Sequence, residues 1–169
     1  ISRKSVQGDI AFLDVLQQMG FTIAETDNPS TSLRTGCLLV TGPTELSGLD
    51  VDMRDIPDTA QTLAAIAPFA SSPTTIRGIA SARVKETDRV HATCTELTRL
   101  GVRMEEHEDG MSIYPVEKMR PATIQTYNDH RMAMAFSLIG LRVPGVTIEN
   151  PACVSKTFPG FFEVLKQLS

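Results

Sequence analysis

Apolar residues recur at every third or fourth position in five stretches of the chain, and this spacing predicts five amphipathic helices. The predicted helices run from about Asp9 to Met19, from Pro57-Asp58 to about Phe69, from Thr87-Asp88 to Gly101, from Asn128-Asp129 to about Gly140, and from Pro159 onward. The residues expected to face the core are Ile10, Leu13, Leu16 and Met19, then Leu63, Ile66 and Ala67, then Val90, Cys94, Leu97 and Leu100, and finally Phe162, Leu165 and Leu168.

Short segments rich in β-branched and apolar residues separate these helices and are predicted to be strands. They are Phe21–Ala24, Cys37–Thr41, Thr74–Ile79, Val102–Glu105, Met111–Tyr114 and Val146–Ile148. The residues Glu108-Asp109-Gly110 are typical of a hairpin turn, and residues 27–36 are predicted to form a longer hairpin loop.

The chain also contains a long internal repeat. The interval from Asp58 to Asp129 is 71 residues, and the interval from Lys85 to Lys156 is the same. Both intervals hold a helix, a strand, a loop, a lysine and a helix in that order, which is typical of a duplicated supersecondary unit. The repeat predicts units of two helices and a small sheet in the α/β or α+β class, and 169 residues suggest a single domain.

The composition is that of an ordinary soluble globular protein, with 41% hydrophobic residues and a mean hydropathy of -0.04. The net charge of -4 argues against general binding to nucleic acid or a membrane surface, so anion binding requires local clusters of cations. The apolar runs are too short to span a bilayer, and Ile1-Ser2-Arg3-Lys4 leads into no segment of the signal-peptide type. We therefore expect a cytoplasmic protein, and a first residue other than Met predicts a piece of a longer one.

The cysteines and histidines give no sign of a metal site. Cys37, Cys94 and Cys153 are widely spaced without a CxxC motif, so we expect reduced and buried thiols. The three histidines are scattered along the chain, so no metal site is indicated.

Polar residues that composition does not explain collect at the beginnings of predicted helices. They are Asp58, Lys85-Glu86, His130-Arg131 and Lys156. A helix N-terminus presents free N–H groups and the positive end of the helix dipole, so it favours anions. His130 and Arg131 place cations where this dipole disfavours them by roughly 0.3–1 kcal/mol, and such a local conflict is often functional.

Each of these residues also has a purely structural interpretation. Asp58 follows Pro57 and is a good helix cap, and Asp129 can cap the fourth helix while neutralising the cations beside it. Lys156 alone is an ordinary exposed lysine. The segment Arg83–Arg89 (RVKETDR) can be a salt-bridged helix start, with Arg83 and Lys85 in an extended approach and Glu86 and Arg89 on one helix face. The alternative is a site that holds a phosphate or carboxylate beside a proton-transferring acid.

Five stretches together resemble the 5-enolpyruvylshikimate-3-phosphate synthase family. They are Gln7-Gly8-Asp9, Asp52–Asp58 (DMRDIPD), Arg83–Arg89 (RVKETDR), Thr126–Met134 (TYNDHRMAM) and Lys156–Pro159 (KTFP). The resemblance covers the whole chain but well under half of a complete enzyme. It implies an inside-out α/β barrel domain, built from repeated units whose helix N-termini point into a cleft between two domains.

The resemblance implies transfer of the enolpyruvyl group of phosphoenolpyruvate to the 5-hydroxyl of shikimate 3-phosphate, with release of phosphate. The implied partners are these two anions and an N-terminal half absent from this chain, and no metal or organic cofactor is implied. The implied catalytic residues are Asp58 for the hydroxyl proton, Glu86 for the methylene protons, and His130 beside them. The implied substrate-binding residues are Ser81, Lys85, Arg89, Arg131 and Lys156, of which Lys85 contacts shikimate 3-phosphate and the other cations contact phosphoenolpyruvate. Ser81 stands where many members have asparagine, and the family's Ser-Ser-Gln segment is absent.

Three rival functions remain open. A UDP-N-acetylglucosamine enolpyruvyl transferase would share the fold, but the RVKETDR and TYNDHRMAM stretches follow the shikimate branch. A non-catalytic anion-binding module fits the incomplete chain. Nucleic-acid end chemistry on a related repeat fold conflicts with the acidic charge balance.

Overall fold

A computed structural model describes residues 7–26 and 37–167 of the chain. The helices are α1 (Phe12–Gln18), α2 (Ala60–Ile66), α3 (Arg89–Arg99), α4 (His130–Gly140) and α5 (Phe161–Lys166). The strands are β1 (Thr22–Thr26), β2 (Cys37–Thr41), β3 (Asp50–Asp52), β4 (Thr74–Arg77), β5 (Met104–His107), β6 (Gly110–Ile113), β7 (Thr123–Ile124) and β8 (Thr147–Ile148). Short 3₁₀ helices form at Gly8–Ala11, Pro57–Thr59, Ala67–Phe69, Ala80–Val84 and Pro151–Lys156.

The largest sheet has four strands in the order β3-β4-β6-β5. β3 and β4 are parallel, whereas β6 pairs antiparallel with both β4 and β5. The β5–β6 hairpin turns at residues 108–109, as predicted. Gly110 is required at the start of β6, because a Cβ atom there would collide with the backbone carbonyl of Ile76 on the neighbouring strand.

The predicted 71-residue repeat is visible in the order of the elements. β3, α2, β4, the 3₁₀ helix Ala80–Val84 and α3 correspond to β7, α4, β8, the 3₁₀ helix Pro151–Lys156 and α5. The strand pair is parallel in both units. The antiparallel pair β1–β2, which follows α1, corresponds in the same way to β5–β6 after α3. The predicted α/β class and its repeated units are therefore confirmed.

The hydrophobic core lies around α2 and α4, which pack against each other. Leu63, Met132 and Phe136 are fully buried at this contact and in its surroundings, and burying one such side chain stabilises the fold by roughly 1.5–3 kcal/mol. Ala64 and Ala65 on α2 are also fully buried, and their small size permits a close approach of neighbouring elements. α2 and α4 are thus almost completely buried, and they support the surface at which their N-termini lie.

The α3 and α4 boundaries follow their capping residues. The Asp88 carboxylate accepts a hydrogen bond from the backbone N–H of His91 at 2.9 Å, and the Asp129 carboxylate accepts one from that of Arg131 at 2.8 Å. Gly101 follows α3 with a φ angle of +88°, where glycine is favoured. The core residues predicted for this helix, Val90, Cys94, Leu97 and Leu100, are all buried.

Other helix predictions were too long or misplaced the buried face. In α1 the buried residues are Val15 and Met19, whereas Ile10, Leu13 and Leu16 are only partly buried, because the segment begins as a 3₁₀ helix with a different side-chain period. α2 is confined to Ala60–Ile66, with proline-containing 3₁₀ turns on both sides. α5 starts two residues later than predicted and buries none of its residues fully.

Strand predictions were correct in type and shifted by one or two residues at most ends, except that β2 matches its prediction. β3 and β7 were missed because segments of three and two residues show no alternation of polar and apolar positions. The predicted loop at residues 27–36 and the predicted core residue Leu168 lie outside the described residues.

Among the described residues no helix is long and apolar enough to cross a membrane. In the same residues no group of three histidine, cysteine, aspartate or glutamate side chains is arranged to hold a metal ion. The thiol of Cys94 is buried, which raises its pKa to about 12, whereas Cys153 is only partly buried. The prediction of burial is therefore correct for Cys94 and only in part for Cys153, and the side chain of Cys37 is outside the described part.

Candidate active site

Arg89, the first residue of α3, joins three carboxylates from three parts of the chain. Its Nε donates to Asp129 Oδ2 at 2.7 Å, Nη1 donates to Asp58 Oδ1 at 2.8 Å, and Nη2 donates to Glu86 Oε2 at 2.7 Å. The side chain is only 3% exposed. A buried guanidinium needs such partners, because an unpaired buried charge is strongly destabilising. Arg89 therefore fixes the relative positions of the three acids.

Asp129 is fully buried and has two roles at once. One carboxylate oxygen caps α4 through the backbone N–H of Arg131, and the other accepts the bond from Arg89. The predicted cap is therefore correct. Because the same carboxylate is bound to α3, the beginning of α4 is held against the beginning of α3.

Arg131 reaches back to Asp58 at the start of the α2 segment. Its Nη2 lies 3.1 Å from Asp58 Oδ2, and its Nη1 donates to the Asp58 backbone carbonyl at 3.0 Å. Thr59 occupies the N-cap position of α2, and no capping hydrogen bond to the Asp58 side chain is found in the described part of the chain, so the interpretation of Asp58 as a helix cap is wrong. Lys85 Nζ lies 3.9 Å from Asp58 Oδ1, which makes it a weaker third partner of the same carboxylate.

Glu86 lies three residues before Arg89 and is held by a cation at each oxygen. Oε2 accepts from Arg89, and Oε1 accepts from Lys156 Nζ at 3.1 Å. Its own backbone N–H and the Lys156 ammonium stabilise the carboxylate, so the pKa of Glu86 is lowered to about 2, although partial burial opposes the shift. Glu86 is therefore ionised at neutral pH. It precedes α3, so the prediction that Glu86 and Arg89 share a helix face is wrong, although the two side chains do meet.

His130 is buried beside these charges. Its Nδ1 lies 3.7 Å from Asp129 Oδ1 and has no hydrogen-bond partner among the described residues. Burial lowers the pKa of His130 below its usual range, the Asp129 charge opposes this, and the charges of Lys156 and Arg131 add to it. A neutral imidazole can donate or accept one hydrogen bond without adding charge to the site.

Seven residues thus form what we call the charged cluster: Asp58, Lys85, Glu86, Arg89, Asp129, Arg131 and Lys156. The four cations outnumber the three carboxylates, so the cluster has a net positive charge inside an acidic chain. Lys85, Arg131 and Lys156 are 38%, 32% and 51% exposed. These three cations are accessible to an anion from solvent, whereas Arg89 is covered.

An open cavity of about 250 Å³ is lined by Asp58 and Arg131 of the cluster and by the neighbouring His130. Its other lining residues include the apolar side chains of Met134, Leu138 and Phe161 and two threonines. A small anion with an apolar part fits a surface of this kind, because its charge can meet Arg131 while its carbon atoms contact α4.

The family model for EPSP synthase (3-phosphoshikimate 1-carboxyvinyltransferase) matches residues 1–165. The chain belongs to the EPSP synthase family. It is 52% identical over 171 residues to the 3-phosphoshikimate 1-carboxyvinyltransferase of Nostoc punctiforme, covering 99% of this chain and 38% of that protein. It is 48% identical to the Escherichia coli O127:H6 protein of the same name over all of this chain and 38% of that protein. The chloroplastic relative from Brassica napus is also 48% identical, over 98% of this chain and 32% of its own length.

Solved structures have the same fold. The EPSP synthase of Acinetobacter baumannii matches with a TM-score of 0.78 and 27% identity, over 92% of this chain and 38% of that one. The enolpyruvyl transferase NikO from Streptomyces tendae matches with a TM-score of 0.69 and 23% identity, over 94% of this chain and 34% of that one, and supports the fold alone. The chain thus spans well under half the length of the family members that it matches.

The structure does not bring every predicted site residue of this EPSP synthase family member together. Ser81 is exposed in the 3₁₀ helix Ala80–Val84, and in the described part of the chain no hydrogen bond joins it to the charged cluster. The other seven predicted residues are brought together: six belong to the cluster and His130 lies against it.

Arg83 is a cation of the RVKETDR stretch that turns away from the cluster. It lies in the 3₁₀ helix rather than in the predicted extended approach. Its guanidinium bonds Asp88 and Glu106 at 2.8 and 2.9 Å and the carbonyls of Glu108 and His107. It fastens the β5–β6 hairpin to the start of α3. For Arg83 the structural interpretation of the motif is therefore correct.

Asp129 is the cluster member that sequence reasoning assigned only to capping. Its position 71 residues after Asp58 was a usable signal, because both repeat-related aspartates bind the same Arg89. No comparable signal pointed to the fully buried Glu96 of α3, whose contacts only the folded chain reveals.

Proposed function

We propose that this chain forms part of an enzyme that transfers the enolpyruvyl group of phosphoenolpyruvate to the 5-hydroxyl of shikimate 3-phosphate and releases phosphate. The observation that carries the proposal is the convergence of acids and cations from three helix beginnings on one face. Family membership and the names of the relatives add to it.

The accessible cations supply the binding step. We assign Lys85 to shikimate 3-phosphate, and Arg131 and Lys156 to phosphoenolpyruvate, while the covered Arg89 stays a predicted contact of phosphoenolpyruvate. Two multiply charged anions repel each other, so bringing them together needs a surface of concentrated positive charge with low water access. The present ion pairs of these cations with Asp58 and Glu86 hold the side chains in place until a ligand competes for them. Ser81 stays a predicted contact of the shikimate ligand.

The two acids supply the proton transfers. In the addition step the hydroxyl oxygen bonds C2 of phosphoenolpyruvate, its proton passes to Asp58, and the electron pair of the C2–C3 double bond takes up at C3 a proton that Glu86 relays from solvent. In the elimination step C3 loses a proton to Glu86, the double bond re-forms, and phosphate leaves C2 with the electron pair of the C–O bond and takes the proton held by Asp58. An ionised Glu86 suits the second step, because a carboxylate must be deprotonated to accept a proton. His130 can donate or accept a hydrogen bond beside it, and neither a metal nor an organic cofactor is needed.

The charged cluster forms one side of the proposed site. In our proposal, the opposite side belongs to the part of the enzyme that this chain does not span. The chain covers 38% of the Nostoc punctiforme and Escherichia coli relatives. Within the described residues, β1–β2 and β7–β8 are two-stranded sheets, whereas the complete unit has four strands. We infer that other segments of the protein complete these two sheets.

A cytoplasmic location stays a prediction, since one relative is chloroplastic.

A hybrid enzyme tests the proposal. The chain replaces the corresponding region of the Escherichia coli relative, to which it is 48% identical, and phosphate release is measured with phosphoenolpyruvate and shikimate 3-phosphate. Asp58→Asn and Glu86→Gln are each expected to lower kcat by roughly 100-fold or more. Glu105→Gln is the matched control, because this exposed carboxylate of β5 pairs with Arg103 instead of the cluster.

The rivals predict different results. Turnover with UDP-N-acetylglucosamine and none with shikimate 3-phosphate would favour the other enolpyruvyl transferase. A hybrid in which both acid variants keep the unmodified rate would favour a non-catalytic anion-binding module and would contradict the proposed roles.

A further inference from the structure

Glu96 is a fully buried carboxylate of α3 that takes no part in the charged cluster. It lies seven residues after Arg89, which places both on the same face of the helix. Its Oε1 accepts from the Tyr127 hydroxyl at 2.8 Å, and its Oε2 accepts from the backbone N–H of Gln125 at 3.1 Å. Arg99 Nε lies 3.1 Å from Oε2 and partly balances the charge.

The segment held by Glu96 has an unusual backbone. Tyr127 and Asn128 have φ angles of +53° and +56°, so two consecutive residues other than glycine are in the left-handed region. Such conformations are strained for residues with a side chain, and they persist only where the surrounding contacts enforce them. Burial and the bond to Glu96 raise the pKa of Tyr127 to about 12, so its hydroxyl stays a hydrogen-bond donor at neutral pH.

α3 therefore holds this segment at both ends. Glu96 binds it at Gln125 and Tyr127, and Arg89 binds it at Asp129. The left-handed turn lies between these two attachments. Asp129 then caps α4, whose first two residues are His130 and Arg131. The direction in which Arg131 leaves the helix is thus set by the turn.

We propose that Glu96 is a positioning residue, which enforces the Tyr127-Asn128 turn and thereby places His130 and Arg131 for anion binding. The kinetic consequence of this inference rests on the proposed function. Its structural consequence rests on the described contacts alone. Glu96 touches no ligand in this scheme and acts only through residues 125–131. The competing explanation is that Glu96 merely stabilises the fold.

The test compares three variants in the hybrid enzyme described above. Glu96→Gln presents an NH₂ group to one of the two donors, and Tyr127→Phe is milder because it removes a single hydroxyl. Arg99→Gln is the matched control, since Arg99 binds the same carboxylate and no hydrogen bond joins it to the turn in the described part of the chain. Misplacing a binding group by about 1 Å can cost up to roughly 100-fold, so Glu96→Gln is expected to raise KM for phosphoenolpyruvate by about 10- to 100-fold. Tyr127→Phe is expected to raise it less, and Arg99→Gln not at all.

NMR supplies a readout independent of activity. In Glu96→Gln the amide resonances and the φ-dependent couplings of Tyr127 and Asn128 are expected to change from the values that left-handed backbone gives. In Arg99→Gln they are expected to stay unchanged. Stability losses in Glu96→Gln and Tyr127→Phe with unchanged KM and an unchanged turn would overturn the inference. If the unmodified hybrid is inactive, the proposed function fails, and the NMR result alone then supports or overturns the positioning of the turn.

Discussion

Arg131 donates to both the carboxylate and the backbone carbonyl of Asp58, a residue 73 positions earlier in the chain. This contact joins the beginning of α4 to the beginning of the α2 segment, which are equivalent places in the internal repeat. Arg89 binds Asp58 and its repeat equivalent Asp129 at the same time. The duplication has therefore placed two similar acids around one buried guanidinium, and the remaining cations surround them on the accessible side.

Replacing Arg131 by Lys tests whether the planar guanidinium matters. Lysine keeps the charge but can no longer bond the carboxylate and the carbonyl of Asp58 together while facing a ligand. A hydrogen bond to a charged group contributes about 1.5–3 kcal/mol, so we expect kcat/KM for phosphoenolpyruvate to fall by roughly 10- to 100-fold in the hybrid enzyme. Arg103→Lys, at an exposed position just before β5, is the control. If the two substitutions lowered kcat/KM equally, the guanidinium of Arg131 would have no particular role in binding phosphoenolpyruvate.

The low pKa of Glu86 makes part of the stability depend on pH. The folded state holds this carboxyl near a pKa of 2 against an ordinary value of 4.5, so it binds fewer protons than the unfolded state. The stabilisation by Glu86 is therefore complete above about pH 4.5 and is lost as the pH falls toward 2. Carboxyl ¹³C titration of the chain is expected to show this low value. Lys156→Gln removes one stabilising partner and is expected to raise the pKa of Glu86, whereas an unchanged titration would contradict the ion pair.

Sequence reasoning succeeded where one local signal decides the structure. Asp88 and Asp129 were correctly expected to begin helices, because a carboxylate before an apolar repeat satisfies free backbone N–H groups. The 71-residue interval correctly predicted the duplicated order of helices and strands. These features depend on neighbours within a few positions or on a repeat that the chain itself displays.

Sequence reasoning failed where distant parts of the chain compete for one side chain. Asp58 has the local features of a cap, but two guanidinium groups from α3 and α4 take its carboxylate instead. Arg83 and Arg89 belong to the same motif, yet one fastens a hairpin and the other organises the site. Short strands such as β7 form only because a parallel partner lies beside them. No local pattern contains this information.

Gln61 offers a test of an unsatisfied group in the core. Its side chain is 2% exposed, and neither amide atom has a hydrogen-bond partner among the described residues. A buried polar group without partners costs about 1–3 kcal/mol. Gln61→Met keeps a similar volume and is expected to raise the free energy of unfolding of the chain by an amount in this range, measured by urea denaturation. Gln18→Met, at an exposed position, is the control. A loss of stability in Gln61→Met would contradict this prediction.

The isolated chain is expected to bind anions without turning over substrates. The accessible cations Lys85, Arg131 and Lys156 lie on one face, so shifts of their side-chain resonances should follow added phosphoenolpyruvate. A site with a single wall excludes little water and aligns two substrates poorly, and alignment can supply roughly 7–11 kcal/mol of a barrier. Phosphate release by the chain alone should therefore stay near the background rate, while the hybrid enzyme is active under the same conditions. Turnover by the isolated chain at a rate close to that of the hybrid would show that these helix beginnings suffice for catalysis.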